Sequence, residues 1–455
     1  MQNILKIGNA QAFWGDQNQA PAKLIEQEPD LDYLTLDYLS EVSLSIMAAQ
    51  RAKDPQAGYA RDFIEVIQHL IPLWQRGSHA KVITNAGGLD PVRCAEACAE
   101  VMKKTSCPPK CIGIVKGDDV LSIINKDPQN LSFNHLESNE PISSIIHEVI
   151  TANAYLGAKS IVEALKLGAD IVITGRVADP SLTVAPCVAH FEWSWEDFDR
   201  LAQATVAGHL IECGTQVTGG ISANWQNLPG LDSIGFPLIE INEDGSFIVT
   251  KPEASGGAVT LETVKEQLLY EIGDPDAYLS PDVTVSFLSL SLKESGLNRI
   301  QVTGARGKAP IGTYKVSATY RDGFKAEGML AIFGRQARLK AQLCGKVIFE
   351  HVHQAGYELE RTHIECLGCG DLVPGVLSGS PEENSRECIL RVSAADSRKD
   401  ALECFVREIA PMVTCGPPGT TGYTSGRPSI RPVYGYWPCK IPISLVVPKI
   451  ELMWV

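Results

Sequence analysis

What the sequence lacks narrows it first. No segment approaches the roughly 20 consecutive apolar residues that a membrane helix needs. The opening MQNILKIGNAQAF has one lysine, a short apolar run and then a turn, without the apolar core and cleavage site of a secretory leader. A cytoplasmic protein is expected, with no membrane as partner. Positive charge is in deficit: 40 Lys and Arg against 54 Asp and Glu leave a formal net charge of −14. That sign opposes a nucleic-acid backbone, where cationic side chains must displace counterions, so no nucleic-acid partner is expected. No GxGxxG follows the first predicted strand and no GxxxxGK[ST] occurs, so the common phosphate cradles of nucleotide-dependent enzymes are missing and no cofactor is predicted. The 13 cysteines are odd in number and scattered. A chain this long has no need of disulfide staples, and reduced thiols are expected.

What is present is a regular alternation. Strands are predicted at 4–8, 31–39, 80–85, 110–117 and 169–175, with amphipathic helices at 60–77, 92–104 and 154–168 between them. Alternation of this kind builds a parallel sheet covered by helices. The fold class expected is α/β, a doubly wound mostly parallel sheet followed by a second α+β domain. The first domain is assigned to residues 1–260. The second, 261–455, packs against it; strands are predicted there at 283–292, 298–305, 314–324 and 388–396, and a helix across 329–354.

In an open α/β sheet, ligands collect at the carboxyl ends of the strands. Those ends carry Asn9, Asp37, Asn85, Arg176 and Asp179. The NAGG turn adds Gly87 and Gly88, where backbone amides and the following helix N-terminus suit an anion. In KPEASGG, Lys251, Gly256 and Gly257 form either a second anion loop or the entry to a helix capped by Thr260. VAGHLIECG sets His209, Glu212 and Cys213 at i, i+3 and i+4, on one face of a helix that stops at Gly214. HIECLGC offers Cys366 and Cys369, but one CxxC without a second pair points to a turn more than to zinc. The Gly/Pro-rich TCGPPGTTGYTSGRP (414–428) suits a lid or a subunit contact.

IGNAQAFWGD, LDYLTLDYLSE, ITNAGG, ANAYLGA, DIVITGRVADPSL, HLIECGTQVTGG, KPEASGG and GPPGTTGY, taken together and in this order, resemble the acyclic terpene utilisation family AtuA over about residues 3–450. The resemblance implies a role in the catabolism of branched acyl-CoA esters. It also implies, in longer members, a small C-terminal domain, whose function is expected here to be absent or supplied by a partner polypeptide. A homo-oligomer is expected. Joined to the strand-end residues, this gives an expected lyase or hydratase acting on a small carboxylated or CoA-linked substrate. His209 and Glu212 are then acid and base, with Asp37 and Asp179 beside them. Arg176 and Lys251 clamp the anion, Asn85 or Asn153 polarises a carbonyl, and Asn9 and the four glycines complete the binding set. Two alternatives stand beside it: a divalent metal held by His209 and Glu212 with Asp37 or Asp179, and a non-catalytic subunit of an acyl-CoA-processing complex.

Overall fold

The computed structural model describes residues 4–376 and 385–455. Runs of aliphatic and β-branched residues form strands β1 (Leu5–Asn9), β2 (Tyr33–Leu36), β3 (Lys81–Thr84), β4 (Cys111–Lys116), β5 (Val149–Ala154) and β6 (Ile171–Thr174). Five of these pair in parallel, in the order β1-β2-β3-β6-β4. Antiparallel strands extend this core on both sides. Leu238–Ile241, Phe247–Thr250, Arg299–Thr303 and Ser291–Gly296 follow β1 outward, Lys449–Trp454 lies beyond β4, and the whole is a ten-stranded mixed sheet.

Helices cover both faces, as crossovers between parallel strands require. On one face Ala20–Gln27, Phe63–Gln75 and Pro91–Lys104 bring Leu24, Ile67, Leu70, Cys98 and Met102 into one core with Leu34, Leu36, Val82, Ile112 and Ile171. Against the other face pack Lys159–Lys166, Ser181–Phe191 and Phe198–Glu212. The last is apolar nearly all round, with Leu201 to Ile211 buried, which marks a helix inside the protein rather than on its surface.

The chain forms two compact units, Met1–Thr319 with Tyr436–Val455, and Tyr320–Gly435. In the smaller unit, Arg361–Leu367, Glu387–Asp396 and the end of Thr313–Phe333 make an antiparallel sheet. Helices Ala337–Gln354 and Lys399–Ile409 close a core around Leu330, Ile348, Leu390 and Phe405. The helix predicted across 329–354 begins at Ala337 instead. Met329–Phe333 continue the strand opposite Glu387–Arg391, because a short apolar run has no period that separates strand from buried helix. The strand expected at 283–292 is two, Thr284–Ser286 and Ser291–Gly296. Within 414–428, Thr420–Tyr423 pairs with Leu330–Ile332. Cys366 and Cys369 are buried thiols, and among the described residues no three His, Cys, Asp or Glu side chains are grouped to hold a metal ion. No helix is long and apolar enough to cross a membrane among those residues.

Candidate active site

At the carboxyl end of the parallel strands lie two adjoining cavities, of about 520 and 240 Å³, which share Glu41, Asp179, Glu212 and Glu271 in their walls. Every lining residue belongs to the larger unit. His209 lines the larger cavity and Asp37 the smaller. His209, Glu212, Asp37 and Asp179, distant in sequence, are thus brought together.

Local packing explains the meeting. Gly208 lies in the buried helix Phe198–Glu212, and a Cβ there would fall 2.8 Å from the Pro180 Cα. Only glycine lets the helix press against the GRVADPSL turn, so that His209 and Glu212 flank Asp179. Asn9, at the end of β1, donates from Nδ2 to the carbonyls of Ile211 and Glu212 at 2.6 and 3.1 Å. It satisfies two of the last carbonyls of that helix, which have no partner within it, and so fixes the turn that carries Glu212.

His209 and Glu212 form one hydrogen-bonded unit. The ring Nε2 lies 2.9 Å from the Gln267 carbonyl oxygen, and Nδ1 lies 2.9 Å from Glu212 Oε1. A carbonyl can only accept, so Nε2 is assigned the hydrogen. The contact between Nδ1 and Oε1 then needs a second proton, carried either as imidazolium against carboxylate or as imidazole against carboxylic acid. Both ring nitrogens are therefore engaged. Gln267 reciprocates, its Nε2 donating to the His209 carbonyl at 3.0 Å. Glu212 Oε2 is buried without a hydrogen-bond partner. One oxygen of this carboxyl is anchored and the other is covered without a partner, in a residue that forms part of both cavity walls.

Behind the wall stands Arg176, 1% exposed. Its guanidinium lies 4.0 Å over the Tyr155 ring, 2.9 Å from Asp179 Oδ1, and donates to the Leu39 carbonyl. Burial works against its charge, but Asp179, Tyr155, Asp37 and Glu41 push its pKa up. The carboxyls respond to the same burial. Asp37 is raised to about 6, with Arg176 and the Asn85 hydrogen bond opposing the rise. Asp179 is raised well above the usual range by burial, again against Arg176, and Glu271 is raised by burial and by Glu212. Several carboxyls around one arginine cannot all ionise cheaply out of water, so the cluster retains protons at pH values where free carboxyls have lost them.

The nine residues expected to bind substrate are placed differently, for none lines either cavity. Asn85 accepts from the Tyr38 N–H and donates to Asp37 Oδ1, both at 2.7 Å. Asn153 donates to Asp118 at 2.8 Å, and Asp118 accepts the Arg176 N–H at 2.9 Å. Asn9, Asn85, Asn153 and Arg176 therefore act through the residues that face the cleft. Gly87 is packed against the Thr174 carbonyl and Pro91, and Gly88 against Met47. Lys251 spends its ammonium on the Pro252 carbonyl and on Ser255, at 3.3 and 2.7 Å. Gly256 and Gly257 sit against the Gly230 and Thr218 carbonyls, and Thr260 caps the helix Leu261–Leu269. KPEASGG is thus a folded entry to that helix, its lysine and the amides of Ser255, Gly256 and Gly257 already occupied. Sequence reasoning missed Tyr155, Gln267, Tyr278, Lys315 and Lys440. Tyr155 lies within ANAYLGA, but no local motif marks the other four, since each reaches the site through contacts remote in sequence.

No curated protein and no solved structure matches the chain. The family description "Acyclic terpene utilisation family protein AtuA" matches residues 5–452 of the 455. The chain belongs to the AtuA family, and a role in acyclic terpene utilisation is what that membership suggests.

Proposed function

We propose that the protein is a lyase- or hydratase-type enzyme acting on a branched small molecule that is carboxylated or CoA-linked, by acid/base chemistry without a nucleotide. The observation that carries this reading is the Glu212 carboxyl, a residue of the cavity wall, with Oε1 held by His209 and Oε2 buried without a hydrogen-bond partner. Hydration, dehydration and aldol-type cleavage all need one group to take a proton and another to give one. In this reading the Glu212–His209 pair takes it, and the proton the two share lets the pair return it. Asp179, on the same wall and raised above the usual carboxyl range, supplies a second proton donor for a departing oxygen. Two carboxyls with differing surroundings divide acid and base roles in this way. The lining also provides an apolar side, with Leu136, Leu279, Pro281 and Ile311, which suits a branched hydrocarbon chain.

The test is exchange of substrate protons with deuterated water, followed by mass spectrometry over a panel of branched acids and acyl-CoA esters. Glu212→Gln keeps the shape and removes the base. Exchange is expected to fall by about 10² to 10⁴-fold, the usual contribution of a positioned acid or base. Unchanged exchange in Glu212→Gln removes the residue from the chemistry. Activity is expected to survive dialysis against EDTA; loss that Mg²⁺ or Mn²⁺ restores supports the metal-assisted reading instead.

A further inference from the structure

We propose that Lys315 and Lys440 form the anion-binding end of the cleft, and that they hold the carboxylate of a small branched acid. This rests on the reading of the cleft as a substrate site. Both lysines line the larger cavity, and they come from neighbouring strands. Arg431–Pro442 pairs with Thr313–Phe333, and just beyond the paired ends the Ile443 N–H donates to the Gly312 carbonyl at 3.1 Å. Carried inward, that antiparallel register sets Lys440 opposite Lys315. The same register sets Gly435 opposite Tyr320, and a Cβ on Gly435 would indeed meet the Tyr320 ring. Like charges directly opposite on paired strands stand about 5 Å apart and destabilise the pair. An anion between them reverses the sign of that interaction.

Counter-charge within the protein is thin. Lys315 has Glu41 at 3.7 Å and lies over the Tyr155 ring at 4.9 Å. Lys440 makes no ion pair among the described residues. Asp179, Glu212 and Glu271 elsewhere on the wall offer a carboxylate no counter-charge, so the cavity is polarised, and an acid has one favourable direction in it. Leu136 lies beside the lysine-bearing strand, its N–H donating to the Pro438 carbonyl at 2.9 Å, and offers apolar contact next to the charge. A cavity of about 520 Å³ is of small-ligand size. The phosphates of a CoA ester lie a pantetheine arm away from the acyl group, outside such a volume. The carboxylate is therefore the anion the space favours.

Calorimetric titration with 3-methylglutarate, isovalerate, uncharged isovaleramide and coenzyme A tests this. The two carboxylates are expected to bind and the amide not to. Lys440→Gln should weaken 3-methylglutarate by about tenfold or more, as loss of a charge-assisted hydrogen bond implies, with Lys440→Arg restoring most of it. Equal binding by wild type and Lys440→Gln overturns the clamp. Binding of coenzyme A that depends on Lys440, with neither acid bound, overturns the carboxylate in favour of phosphate. Glu212→Gln is expected to bind 3-methylglutarate no more weakly than wild type. If that variant also keeps full exchange activity while Lys440→Gln loses binding, the acid/base reading falls and the clamp stands.

Discussion

Asp118 in the larger unit and Asp396 in the smaller are both covered by protein and both accept several hydrogen bonds, yet they hold their protons in opposite ways. Asp118 accepts from the Arg176 N–H and from Asn153, both neutral donors, and burial raises it to about 6. Asp396 accepts from the Arg398 Nε, Nη2 and backbone N–H at 2.9, 3.0 and 2.8 Å. The Arg398 side-chain hydrogen bonds, prevailing over burial, bring Asp396 down to about 2. Arg398 is 49% exposed, so that pair lies shallow with its cation in water. The carboxyls of the cleft lean instead on the fully buried Arg176. Burial without a matching cation makes a carboxyl a proton store, and a partner at the surface makes it a structural ion.

The largest effect is expected where the store loses its buried cation. Arg176→Met removes the charge that Asp179 and Asp37 face. Breaking a buried pair from one side costs about 3–5 kcal/mol, which urea denaturation would register as a lower midpoint with an unchanged slope. The loss should be smaller at pH 5 than at pH 8, because Asp37 and Asp179 take up protons and no longer need the cation. A deficit that does not vary with pH would mean a packing defect rather than an uncompensated charge.

The parallel core and the strand-end cluster were legible because their causes are local. Alternating strand and helix periods, with Asn9, Asp37, Asn85 and Arg176 each just after a strand, need no tertiary knowledge. Which of these face the cleft was not legible, because loops rather than strands aim Asp37 into it and turn Asn85 and Arg176 behind it. Lys440, close to the C-terminus, meets Lys315 only through strand pairing, and Gln267 meets His209 across 58 residues. Neither contact leaves a periodic trace. KPEASGG misled for a related reason, since glycines that let a backbone approach an anion also let it approach another backbone, and here Gly230 and Thr218 are what they approach.

A middle-sized effect belongs to Asp118. Its folded-state pKa lies above the ordinary value of 3.8, so between about pH 4 and 6 the folded protein binds more protons than the unfolded chain. Stability from this group therefore falls as pH rises through that window and levels off above it. Asp118→Asn keeps an oxygen to accept from Arg176 and Asn153 but cannot titrate. On moving from pH 7 to pH 5, wild type should gain more in melting temperature than the variant. The difference is worth about 1.4 kcal/mol, since this step spans about one unit of proton uptake by the folded state and each unit corresponds to that amount. Identical pH dependence would show that Asp118 holds no proton in this range.

The smallest effect, and the one that closes the comparison, is Arg398→Gln. At pH 7 a half-exposed ion pair contributes little, being screened and costly in side-chain entropy, and Asp396 keeps the backbone N–H groups of Arg398 and Glu360 at 2.8 and 3.2 Å. Thermal unfolding there should barely change. The acid side differs: a carboxyl held at about 2 adds stability that is present above its unfolded pKa near 4 and is lost as pH falls toward 2. Without Arg398 that depression shrinks, so the variant has less acid-labile stability to lose, and between about pH 4 and 2 the stability of the smaller unit, followed by hydrogen exchange in Glu387–Asp396, should fall less steeply than in wild type. Both deficits then shrink as acid is added, but in different windows: that of Arg176→Met between about pH 8 and 5, where the buried carboxyls take up protons, and that of Arg398→Gln only below about pH 4, where Asp396 does. Recovery of both variants within one and the same window would mean that the two regions do not store protons differently.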